Sequence, residues 1–279
     1  MAIAIIFSKD RACQLHLLLE SMWEYTHQDL FEYIYVIYKT SNRDYELGYR
    51  EVKQCYDYVT FLPEIDFKTD ILNILNKNKE ENHVCFFTDD DIIYQSIDLT
   101  PESLNYIFEV DTVGLFSLRL GRNIIMQDIP TNMITHIPEF KNMSVSGIEE
   151  YLLCWNWNNC PHHLDYGYPL SVDGHFFRIS DITTIIKSIG CENPNYMEGQ
   201  MCHKLSMLPP LGVSYQHSKV VNLPINRVQE VFTNRFGNTF PRTQQELNQE
   251  YLSGKTIDLD KIDFSNIYCS HQELPMGFK

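Results

Sequence analysis

Several common signatures are missing from this chain of 279 residues. It has no run of basic residues, and its 22 Lys and Arg stand against 37 Asp and Glu, a net charge of −15. A general nucleic-acid binder shows the opposite balance or a basic stripe, so nucleic acid is not expected as a partner. Such a surface also repels anionic membranes, and an anionic ligand needs local groups or a metal to hold it. No segment approaches the roughly 20 apolar residues of a membrane span. The eight cysteines include no Cys-x-x-Cys pair, which in a chain of this size reads as free thiols in a reducing compartment. The apolar start "MAIAIIF" breaks at Ser8-Lys9-Asp10-Arg11 and lacks a cationic leader, so it reads as a core strand rather than a signal peptide. A soluble, cytoplasmic protein is the expectation.

Glycine is sparse as well. No two of the 12 glycines stand two apart, which excludes a G-x-G dinucleotide fingerprint. "SGKT" at 253–256 imitates the end of a phosphate-binding loop, but Gln249 occupies the place of the first glycine and no apolar strand precedes it.

What is present is an alternation of strand and helix. Residues 2–7, "YIYVIY" (33–38), "VTFL" (59–62), "VCFF" (84–87) and "TVGLFSL" (112–118) read as strands. Leu15, Leu18, Leu19 and Met22 fall on one helical face, and Ile71, Ile74 and Leu75 on another. Thr100-Pro101 opens a helix, Ser180 is expected to cap one ending at Gly190, and further helices are expected over 197–207 and near 243–252. "LSVDGHFFRI" carries strand character, and "VSYQHS" ends what reads as the last strand. This order predicts an α/β fold, a Rossmann-type mainly parallel sheet flanked by helices. Residues 1–220 form the expected main domain (a nucleotide-binding half of about 1–120, an acceptor half of about 121–220). Residues 221–279 form an extension or lid packed on it, with "NRVQEVFTNRFGNTF" as the candidate lid.

In parallel sheets ligands bind beyond the carboxyl ends of the strands. That rule gathers Ser8–Arg11, Lys39–Arg43 and Asp89–Asp91 on one rim. Three aspartates after a core strand need a partner, because carboxylates are rarely buried alone. Asp89 and Asp91 make a D-x-D pair whose hard oxygens suit Mg²⁺ or Mn²⁺; a solvated loop or helix cap is the plainer reading. His217 is a candidate third ligand, or an ordinary half-buried histidine. Trp155 and Trp157 suit either a sugar-stacking platform or core packing. Cys160, His162 and His163 lack a second ligand pair at zinc-finger spacing. "DDDII" superficially resembles a phosphatase motif, but it follows about three strands and places Ile93 where Thr or Val belongs.

"AIIFSKDRACQLHLLLESM", "VIYKTSN" and "FFTDDDIIY" together resemble the nucleotide-binding half of a GT-A-fold, family-2-like glycosyltransferase. "HFFRISDITTIIKSIGCENPNYMEGQMCHKL" is similar to the acceptor-side segment of that family. The resemblance spans about residues 2–220. It implies transfer of a sugar from a nucleotide-diphosphate sugar, a UDP-sugar first, to a glycan or other hydroxyl acceptor, with inversion. It further implies a Mn²⁺ or Mg²⁺ cofactor on Asp89, Asp91 and His217. The donor would meet Phe7, Ser8, Lys9, Arg11, Lys39, Ser41 and Asp90. Where the family has Glu-Asp this chain reads Glu198-Gly199, so Glu198 takes the role of general base, with Asp173 as the competing base or a sugar contact. A metal-dependent phosphohydrolase and a non-catalytic carbohydrate-binding module are the alternatives.

Overall fold

The computed structural model describes residues 1–226 and 239–279. Residues 227–238, with Arg227, Arg235, Gly237 and Asn238 of the candidate lid, lie outside the described residues.

The first half alternates as the pattern predicts: β1 (Ala2–Lys9), α1 (Ala12–Tyr25), β2 (Phe31–Lys39), α2 (Arg43–Cys55), β3 (Val59–Pro63), α3 (Phe67–Lys77), β4 (His83–Thr88). Then follow a short β5 (Asp91–Ile93), α4 (Pro101–Phe108) and β6 (Val113–Ser117). α4 begins as the sequence predicts, with Thr100 and Ser103 closing a reciprocal cap and proline in the first turn. β7 (Met126–Asp128) and β8 (Met133–Ile134) form a small ribbon, and β9 (Lys141–Met143) and β10 (Leu152–Asn156) rejoin the main sheet. β11 (His175–Arg178), α5 (Ile179–Lys187), α6 (Pro194–Met201), β12 (Leu211–Ser214), β13 (Val220–Asn222) and α7 (Gln244–Leu252) follow among the described residues.

Among the described residues nine strands form one sheet in the order β3-β2-β1-β4-β11-β6-β12-β10-β9. β3, β2, β1 and β4 are parallel neighbours, β11 runs antiparallel between β4 and β6, and β12 pairs parallel with β6. β1 is buried along its length except at Lys9, as a strand covered by helices on both faces must be.

Some local expectations shift. α5 starts one residue after Arg178, so Ser180 lies inside the helix rather than capping it. The helix expected over 197–207 divides into α6 and a 3₁₀ segment, Cys202–Met207. α2 left little apolar signal, since only Gly48, Tyr49 and Val52 face inward. A Cβ on Gly48 would stand 2.9 Å from that of Ala12 and 2.3 Å from Asn248 Oδ1. Glycine there lets α2 press closely on α1 and α7.

Candidate active site

The topology brings distant residues to one edge. β1, β2, β4 and β6 all finish there, and antiparallel β11 begins there. Lys9 registers with Lys39, Phe7 with Thr88, and Gly174 N–H donates to the Phe86 carbonyl. Gly174 has φ +68°, a turn conformation that glycine adopts without strain and that sets Asp173 beside the end of β4.

The three aspartates have separate surroundings. Asp89 is buried; its Oδ2 accepts from Ser8 Oγ (2.8 Å) and Lys9 N–H (3.1 Å), and its Oδ1 from Arg11 (2.9 Å). Burial pushes Asp89 up to about 6 against the pull of Arg11. Arg11 also donates to Asp90 (2.8 Å) and to Asn226 Oδ1 (2.9 Å), so its guanidinium is an internal tie. Asp91 is fully buried, with Thr88 N–H (2.9 Å) and Asn222 Nδ2 (3.2 Å) on its two oxygens. Burial, with the charges of Asp173 and Asp90, raises Asp91 well above the carboxylate range.

A second cluster lies alongside. Arg119, two residues past β6, donates to Ser171 (2.7 Å), Asp173 (3.1 Å), Asp165 (2.6 Å) and Ser270 (3.1 Å). Asp173 also accepts from Thr88 Oγ1 (3.1 Å) and lies 3.6 Å from His271 Nε2. Burial works against its charge, yet the His271 hydrogen bond and Arg119 hold it below the usual range. Glu198 lies one turn into α6, and the first turn holds no acidic residue, so a helix-dipole role does not account for it. Its Oε1 accepts from Val172 N–H (3.1 Å). Burial and the neighbouring Asp173 charge push it up to about 7.

The structure thus brings Ser8, Lys9, Arg11, Asp89, Asp90, Asp91, Asp173 and Glu198 onto one edge. Other expected residues have different surroundings. Phe7 is core, packed on Phe67 and Phe86. Lys39 is exposed and paired with Glu64 at 2.7 Å, and Ser41 holds Asp10. His217 is exposed and sits against Gly121, whereas Asn222 is the residue that registers with Asp91. Among the described residues no three His, Cys, Asp or Glu side chains converge to hold a metal ion. With both Asp89 oxygens engaged and His217 elsewhere, the residues present do not fit a cation on Asp89, Asp91 and His217. Trp155 and Trp157 are buried and donate to the carbonyls of Tyr166 and Pro209; this is core packing, and the stacking platform is set aside. Sequence reasoning missed Arg119, Asp165, Asn222 and His271. "SLRLGR" offered an arginine just beyond a core strand, but the tail residues left no local signal.

No protein-family model matches the chain. Over 297 aligned positions it is 27% identical to the bifunctional glycosyltransferase pgtA of Dictyostelium discoideum, covering 98% of this chain. The chain is related to a glycosyltransferase. It spans 38% of that relative's length. Among solved structures, Staphylococcus aureus TarS 1–349 in complex with UDP-GlcNAc overlaps at TM-score 0.45 and 14% identity, covering 85% of this chain and 62% of that one. A 4-diphosphocytidyl-2C-methyl-D-erythritol synthase overlaps at TM-score 0.38 and 11% identity, covering 78% and 88%. Overlaps this partial carry no argument about the site.

Proposed function

We propose that the chain is a glycosyltransferase that moves a sugar from a nucleotide-diphosphate sugar to a hydroxyl acceptor with inversion. The relationship to a glycosyltransferase along 98% of the chain carries this reading. Glu198, a carboxylate raised to about 7, and the Lys9 cation at the same strand-end edge support it.

In the proposed step Glu198 takes the proton of the acceptor hydroxyl while that oxygen attacks the anomeric carbon. The bond from this carbon to the diphosphate oxygen breaks, and the nucleoside diphosphate leaves with the electron pair. Glu198 is the better base of the two carboxylates. Pushed up to about 7, it is matched to proton transfer near neutrality. Asp173 is held ionised by Arg119, Thr88 and His271, which occupy the lone pairs a base would use. Its proposed role is to fix Thr88 and Arg119 at the site wall. Lys9, exposed at the end of β1, is the cation proposed to meet the diphosphate. No step is routed through a metal, since the expected ligand set does not assemble.

The test is release of nucleoside diphosphate from UDP-, GDP-, dTDP- and CDP-sugars, with and without a panel of hydroxyl acceptors. Acceptor-stimulated release with an inverted product supports the proposal. Inorganic phosphate released without acceptor favours the phosphohydrolase instead. Absence of any turnover rejects the transferase.

A further inference from the structure

Ser171 lies fully buried in the loop before β11, between the two carboxylates of the proposed step. A hydroxyl carries one proton and two lone pairs. Both lone pairs of Ser171 are taken: Arg119 Nη1 donates to its Oγ at 2.7 Å and the Asp173 N–H at 3.3 Å. One proton remains, with two carboxylates in reach, Asp173 Oδ2 at 3.4 Å and Glu198.

The two are not equal claimants. Asp173 already accepts from Arg119 (3.1 Å) and Thr88 (3.1 Å), with His271 beside it, and 3.4 Å is long for an O–H···O bond. Glu198 is less well supplied among the described residues: the Val172 N–H reaches its Oε1 at 3.1 Å, and burial makes a further donor valuable. Because Ser171 and Val172 are neighbours in the chain, the hydroxyl and the N–H form one cradle for the Glu198 carboxylate. We propose that Ser171 is a positioning residue: its hydroxyl donates to ionised Glu198, holds that carboxylate in place for the acceptor, and turns to Asp173 when Glu198 takes the acceptor proton. The Ser171 proton rotates about its C–O bond and is not transferred, so the balance of the proposed step is unchanged. The purpose of this hydrogen bond rests on the proposed sugar transfer; the bond itself does not.

The charged and titratable groups facing Glu198 are Asp173, Arg119, Tyr168 and Cys202. Burial pushes the Tyr168 phenol and the Cys202 thiol up, Asp173 is held ionised and Arg119 is cationic. Glu198 is therefore the member of this group that changes charge near neutrality. A donor to the charged form favours that form, so removing the Ser171 hydroxyl should make Glu198 harder to ionise.

The test is a carbon-13 NMR titration of the glutamate carboxyls in the full chain and in Ser171→Ala, with the Glu198 signal assigned by its loss in Glu198→Gln. Profiles of nucleoside diphosphate release against pH accompany it. Arg119 keeps Asp165, Asp173 and Ser270 in Ser171→Ala, so that variant is expected to fold. The Glu198 midpoint is expected to rise by about one pH unit. The rate should then be about tenfold below that of the parent near pH 6 and within about twofold near pH 9, with the donor KM unchanged. An unmoved or lowered midpoint would overturn the proposal. A rate lowered equally at every pH, the mark of a merely structural role, would overturn it too. If Ser171→Ala does not fold, Ser171→Cys, a weak donor of similar shape, is read in the same way. Absence of turnover in the parent protein would reject the transferase, while the titration would still decide whether Ser171 serves Glu198.

Discussion

Glu198 and Asp173 share one wall of the site yet shift in opposite directions, and that difference assigns their roles. A base with its pKa near 7 must be ionised to work, so the rate should fall as pH drops through about 7. Glu198→Gln should lower kcat by roughly 10²–10⁴-fold and abolish that acid limb, as a pH–rate profile of both proteins would read. If the limb persists in the variant, the base is another group. Arg119 makes a separate prediction. Its guanidinium is buried between Asp165 and Asp173, and Arg119→Met would strand both carboxylates. The expected cost is about 3–5 kcal/mol in urea unfolding; a loss below 1 kcal/mol would mean the pair is not buried as described. The residues of this site were legible where they follow apolar strands, as Asp89–Asp91 follow "VCFF". Arg119 had the same signature at the end of β6 and went unnoticed because a single arginine in a turn is usually solvated. His217 was misplaced for a related reason. Sequence shows that a residue lies near a strand end, but the β5–β13 register decides which side chain meets Asp91, and it is Asn222.

At the level of elements, α1, β1 to β4 and α4 were legible because burial on one face or two leaves a periodic trace. β5, β9 and β13 are three residues each, too short to show a period. α2 is polar on most of its surface and is held by tertiary contacts with α1 and α7, which a local pattern does not report. α7 reads clearly because Thr243 and Glu246 cap each other reciprocally. Thr243→Ala should destabilise the protein by about 1 kcal/mol without changing the denaturant slope, because α7 lies against α1 and α2. A separate early transition in that variant would show that α7 unfolds independently of the sheet.

Over the whole molecule, the reaction edge carries more carboxylates than guanidiniums, in a chain of net charge −15. Asp89 and Glu198 are raised in the folded state, so the stability they add is full below the ordinary carboxylate range and is lost as pH rises through about 6 to 7; Asp91, raised by burial, acts in the same direction. Asp173 is depressed, so its contribution is present above that range and lost only in stronger acid. Between pH 5.5 and 8 the raised groups decide the sign. The melting temperature should fall as pH rises, and Glu198→Gln should flatten the slope; a rising melting temperature would contradict the burial of these carboxylates. The central claim, a nucleotide-diphosphate sugar at this edge, is tested most directly by thermal unfolding with UDP, GDP, dTDP and CDP, each with and without Mn²⁺. A nucleotide at 100 times its Kd adds about 2.7 kcal/mol, a shift of roughly 5 °C or more. Such a shift is expected for one of the four, and the manganese arm decides whether a cation must accompany it. No shift with any nucleotide, in either arm, would rule out a nucleotide-diphosphate site at this edge.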